Sequence, residues 1–133
     1  MPRLDSGFIA LIIAQAVHSV EESLGRLYEE FPPARFVSGL VSQDLRQGFI
    51  IANVALVTFG LWCFIWPMRR RWRSAMTIGW FWVTLEVING LVHPLWSLLE
   101  MRYTPGAATA PVLLILALWL ARQLRAEQTK AST

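Results

Sequence analysis

Four apolar stretches, each close to the length of a membrane crossing, divide this chain and leave it few ways to fold. They run from about Gly7 to Leu27, Gln47 to Met68, Ser74 to Leu99 and Ala107 to Leu124. A helix needs roughly 20 residues to traverse the hydrocarbon layer. Open strands cannot do so, because their unpaired backbone groups would find no partner in lipid. The expected fold is therefore an all-α integral membrane protein, a single domain over residues 1–133 built as a bundle of four transmembrane helices. Only 16% of residues are charged, against about 25% in soluble domains. The deficit is concentrated in the apolar stretches.

The connections differ in kind. Residues 28–46 are polar and contain Pro32-Pro33, which bars a continuous helix there. Residues 68–73 form a tight basic turn, and Tyr103-Thr104-Pro105-Gly106 is a stop-and-turn string before the fourth helix. The first stretch imitates a signal peptide, but Asp5 interrupts its basic region and its apolar core is short, so it is expected as a retained helix. Arg3, the Arg69 to Arg73 cluster, Arg122, Arg125 and Lys130 fall on one side of four crossings. The positive-inside rule makes that side, with both termini, cytoplasmic. Placing the basic residues at helix ends also accounts for the net charge of +3 without nucleic acid as a partner. Cys63 is the one cysteine, so no intrachain disulfide or cysteine-based metal site is expected.

Polar residues at membrane depth are the informative exception. On helix one, Gln15, His18 and Glu22 form a stripe at spacings of three and four, with Glu21 on its flank. On helix three, Glu86, Asn89 and His93 form another, and helix two contributes Asn53. A rise of about 1.5 Å per residue puts His18 and Glu86 mid-span, and Glu22, Asn53 and Asn89 near one height in the outer half of the bilayer. A charge at such depth costs about 2.5–3.5 kcal/mol even on the lenient insertion scale. Protonation with hydrogen bonding, a wet cavity or a bound cation would each relieve that cost. Blander readings stand beside these. Glu21 or Glu22 could mark the outer end of helix one, Asn53 and Asn89 could bridge helices, His93 could be interfacial, and Gln15 could simply pack. A nitrogen and oxygen donor set of His18, Glu22, Glu86 and His93 suits zinc, iron or manganese, as one ion or a pair.

Three strings resemble those of the HXXEE family of small, mostly bacterial membrane proteins: His18-x-x-Glu21-Glu22, Asn89-x-x-x-His93 and Tyr103-x-Pro105-Gly106. They occur in the family's order and span residues 18–106. The resemblance implies a membrane-bound metalloprotein, in a bacterial inner membrane, with those eight residues as its motif positions.

The leading expectation is a metal-dependent hydrolase or oxidase acting on a lipid-like or apolar substrate. His18, Glu22, Glu86 and His93 would be ligands, and Glu21 a further ligand or the general base. Asn53, Asn89 and Gln15 would hold ligands or substrate oxygen, and Tyr103 would be a proton donor or part of a turn. The alternatives are a metal-free acid–base isomerase of a sterol- or terpene-like lipid, and a small ion carrier or metal-binding subunit, which with so few helices would need homo-oligomerisation.

Overall fold

The computed structural model describes residues 2–131, which are all-helical with no strand. Helix α1 spans Pro2–Leu24, α2 Leu27–Glu30, α3 Pro32–Val41, α4 Leu45–Cys63, α5 Ala75–Leu99 and α6 Ala110–Ala131. A π-helical turn, Phe64–Met68, prolongs α4. Pro67 has no N–H to donate within this turn, and the widened register lets the Arg69 N–H reach the Phe64 carbonyl at 3.1 Å.

Three segments, Leu4–Leu24, Leu45–Met68 and Ala75–Leu99, are long and apolar enough to cross a membrane. Helix α6 begins three residues later than the sequence pattern suggests, and Arg122, Arg125 and Glu127 cut its apolar part short. It therefore falls outside that group by composition, although its 22 residues are long enough.

Residues 28–46, expected as a polar connection, contain the ten-residue helix α3. The proline pair breaks the chain and also starts this helix. Phe31 is extended (φ −104°, ψ 112°), as a residue before proline prefers. The two prolines then occupy the first helical positions, where a missing N–H costs nothing. α3 lies so close to α4 that a Cβ on Gly48 would sit 2.1 Å from the Ser38 carbonyl oxygen.

The larger of two apolar clusters surrounds Trp82, with Phe8 packed edge-on at a centroid distance of 6.2 Å, and with Leu11, Ile12, Leu113, Leu120 and Leu124 buried; the smaller joins Leu27, Tyr28 and Phe49. Leu4, Met68 and Ala75 share the larger cluster, and Gly7 lies against Gln123. The start of α1, the basic turn and the end of α6 thus gather at one end of the bundle. At the other end Gly25 packs on Pro105, and Arg102 bridges to Glu30 at 2.9 Å. Outward faces are apolar, with Val20, Val54, Leu95 and Ile115 all exposed, while Glu22, Glu86 and both histidines are buried. That inverts the arrangement of a soluble domain and suits a chain solvated by lipid.

Candidate metal centre

The chain has two histidines, one on each of two helices, and the fold brings them into contact. Spacing of four on α1 puts His18 and Glu22 on one face, and α5 brings His93 to meet them. The His18 and His93 rings lie T-shaped with centroids 4.8 Å apart. Glu22 Oε1 is 3.2 Å from His18 Nε2 and 3.1 Å from His93 Nε2. One ligand atom from each of the three residues lies within 4.8 Å of the others, so the group could hold a metal ion.

Hydrogen bonding fixes what those nitrogens offer. His93 Nδ1 is 2.7 Å from the Pro105 carbonyl oxygen. A carbonyl only accepts, so Nδ1 carries the proton and Nε2 of the neutral ring is a bare lone pair. His18 Nδ1 is 2.7 Å from Thr109 Oγ1, and that hydroxyl donates its one proton to Glu21 Oε2. Thr109 must therefore accept from His18 Nδ1, which leaves His18 Nε2 bare as well. This atom is buried and has no hydrogen-bond partner. Two lone pairs and one carboxylate oxygen thus converge, each short of a positive charge. Outer hydrogen bonds that fix a ligand's tautomer are usual around bound metals, and the donor set fits a divalent cation.

The loop between α5 and α6 makes this possible. Gly106 has φ +90°, and a Cβ there would lie 2.5 Å from His93 Nδ1 and 2.9 Å from His18 Cε1. Glycine is needed for the backbone angle and for the close approach to both rings. Glu21, expected as a ligand or general base, is turned to this loop and lies outside the three-residue group. It accepts from the Ala108 N–H at 3.0 Å, the Thr109 N–H at 2.9 Å, the Thr109 hydroxyl and the Tyr103 hydroxyl. Four donors fill the acceptor capacity of a carboxylate, which makes Glu21 the anchor of the loop.

Tyr103 is the other half of that anchor. Its hydrogen bond to Glu21 pushes the phenol up to about 12, from about 10 for a free tyrosine. Because the folded value is raised, the bond stabilises the loop fully below about pH 10 and is lost as pH rises through the folded value. Tyr28 and Tyr103 are the two tyrosines. The difference between the tyrosinate absorbance titrations of wild type and Tyr103→Phe should therefore place Tyr103 near 12. A midpoint near 10 would mean that the bond to Glu21 is absent in solution.

Glu86, expected as a fourth ligand, is fully buried but outside the group of three. Asn89 Nδ2 donates to it at 3.2 Å. With its nitrogen toward Glu86, the Gln15 amide donates to both carboxylate oxygens at 3.1 and 2.9 Å. Asn53 accepts from Ser19 at 2.7 Å and donates to the Phe49 carbonyl at 3.0 Å. A cavity of about 520 Å³ reaches the site between α4 and α5, beneath α3. Glu22, His93, Gln15, Asn53 and Asn89 form its polar side, while Val37, Leu56, Leu85 and Ile88 are among its apolar lining.

The profile of a family described as "Protein of unknown function with HXXEE motif" matches residues 9–120. The chain belongs to the HXXEE family. No curated protein and no solved structure matches it. The HXXEE signature divides its labour in this fold. The histidine and the second glutamate face His93, whereas the first glutamate holds the loop that carries Tyr103, Pro105 and Gly106. Thr109, three residues beyond that third string, completes the site, and sequence reasoning missed it. The signal for it was weak, a hydroxyl on the first residues after Pro-Gly with no periodicity to mark it.

Proposed function

We propose that this HXXEE protein is a membrane metalloenzyme holding one divalent cation at His18, Glu22 and His93 and acting on an apolar substrate lodged in the adjoining cavity. The observation that carries this reading is the convergence of two imidazole lone pairs on one carboxylate oxygen, with both Nδ1 protons committed elsewhere. Two histidines and one carboxylate suit zinc or iron. Zinc would supply Lewis acidity for a hydrolysis, and iron redox chemistry for an oxidation. The chain's own part is to bind and orient. The apolar cavity wall takes up the substrate and excludes water. The amides of Asn53 and Asn89 face that cavity and position a substrate oxygen beside Glu22 and His93. Glu86 and Gln15 brace Asn89 and the α1–α5 contact from behind. Glu21 and Thr109 hold His18 in its ligating tautomer.

Thr109→Val tests the reading through its least obvious member. The side chain keeps its shape and loses its hydroxyl, so His18 loses the acceptor that fixes its proton. Metal affinity should fall about 10–100-fold while the helical signal stays unchanged. Equal affinity in Thr109→Val and wild type, titrated after metal stripping, would remove the hydroxyl from the account.

In this reading the chain crosses a bacterial plasma membrane four times with both termini cytoplasmic. Val112, Ile115, Leu118 and Trp119 give α6 an apolar outer face that supports a fourth crossing. The gathering of the α1 start, the Arg69 to Arg73 turn and the α6 end supports the orientation. In a Cys63→Ala background, an impermeant thiol reagent applied to intact cells should label Gln43→Cys and spare Ser74→Cys. The reverse pattern would invert the topology.

A further inference from the structure

Beside the entrance to the metal centre, with which the first of them shares Phe49 and Asn53, lie two further cavities. The first, of about 310 Å³, is a groove between α1 and α4 whose walls include Ala16, Val20, Ile50, Val54 and Val57. The second, of about 410 Å³, is lined by Ser23, Leu24, Arg26, Tyr28 and Arg46 and is mostly polar. Ser23 lines both, so the apolar groove and the basic cavity adjoin. From Arg46 to Thr58 the two cavities together follow α4 for about 18 Å, more than half of a roughly 30 Å hydrocarbon layer. Val20, Ile50 and Val54 are exposed along the groove, so it opens sideways to lipid.

The charges at its head are unequal. Arg26 is paired with Glu29 at 2.5 Å. Asp44, beside Arg46 in sequence, is turned to cap α4, where it accepts from the Gln47 N–H at 3.0 Å. Arg46 is exposed and takes part in no ion pair among the described residues. An unpaired guanidinium at the mouth of an apolar groove matches a molecule with an anionic phosphate at one end and a hydrocarbon chain at the other.

We infer that the α1–α4 groove is a binding site for one anionic phospholipid, its phosphate on Arg46 with Ser23 and Tyr28 beside it and an acyl chain laid along Val20, Ile50 and Val54. The inference rests on membrane residence but not on the metal, since none of the three candidate ligands lines either cavity.

The test uses the full chain in detergent, with native mass spectrometry reading lipid retention. Phosphatidylglycerol and phosphatidylcholine of matched chains are the probes, and glycerol 3-phosphate is the competitor without a chain. Wild type should retain one phosphatidylglycerol in preference to phosphatidylcholine. Arg46→Gln should weaken phosphatidylglycerol about tenfold, the weight of one charge-assisted contact, and leave phosphatidylcholine unchanged. Val54→Trp, which fills the groove, should weaken both lipids while metal content stays at the wild-type level. Two results would overturn the inference. Equal retention by wild type and Arg46→Gln would mean annular lipid only. Displacement by glycerol 3-phosphate at concentrations matching the lipid would mean a site for a soluble phosphate.

Discussion

Gly106→Ala should be among the most damaging single substitutions in this chain, costing about 2–5 kcal/mol of stability and dismantling the site at the same time. The backbone at φ +90° is one that an L side chain enters at about 1–2 kcal/mol. The added methyl would also sit 2.5 Å from His93 Nδ1 and 2.7 Å from Cε1 of the same ring. Overpacking of that kind costs a further 1–3 kcal/mol or so. Relief requires the loop to lift, and lifting it withdraws the Pro105 carbonyl from His93 and Thr109 from His18. Metal affinity and stability should therefore fall together. Gly39→Ala is the matched control, since the nearest atom to its new Cβ is a leucine methyl at 3.8 Å. Chemical denaturation of the two variants in one detergent checks the difference. Equal stability of Gly106→Ala and Gly39→Ala would show that the loop does not seat against the two histidines.

Glu22→Gln should separate affinity from stability. The substitution keeps the shape of the side chain and removes the charge on which both Nε2 atoms converge, so metal affinity should drop more than about 100-fold, beyond the effect of losing an outer hydrogen bond. Stability should move the other way once metal is stripped from both proteins. Glu22 is a buried carboxylate at membrane depth, and neutralising it relieves the desolvation cost of that charge. The metal-free variant should thus be at least as stable as metal-free wild type. The comparison must be made without metal, because a tight ligand stabilises the folded state by mass action. Unfolding of Glu22→Gln would instead assign the cluster to structural support of the bundle.

The parts of this structure that follow a helical period could be read in the sequence, and the parts set by loops could not. Spacings of three and four placed His18 and Glu22 on one face of α1, and Glu86, Asn89 and His93 on one face of α5, and depth alone drew Asn53 to the same level. The cavity that Glu22, Asn53, Asn89 and His93 line is where that reasoning pointed. Spacing could not separate Glu21 from Glu22, because both lie within a turn of His18. The decision was made by donors from residues 103–109, on a loop whose path no periodicity records. Thr109 was hidden for the same reason. Glu86 shares a face with His93 but spends its acceptors on Asn89 and Gln15, a choice of side-chain partner within the face. Helix α3 was obscured by the charged residues around it, although Pro32-Pro33 followed by Phe36, Val37, Leu40 and Val41 is a helix start with an apolar stripe.

Elemental analysis of the purified protein tests the central claim most directly. Wild type and Glu22→Gln are prepared side by side without chelators, and the metal content of each is set against protein concentration. The account predicts close to one equivalent of zinc or iron in wild type and a negligible amount in Glu22→Gln. A wild-type protein that carries no metal, and takes up none when zinc and ferrous iron are offered after stripping, would contradict it.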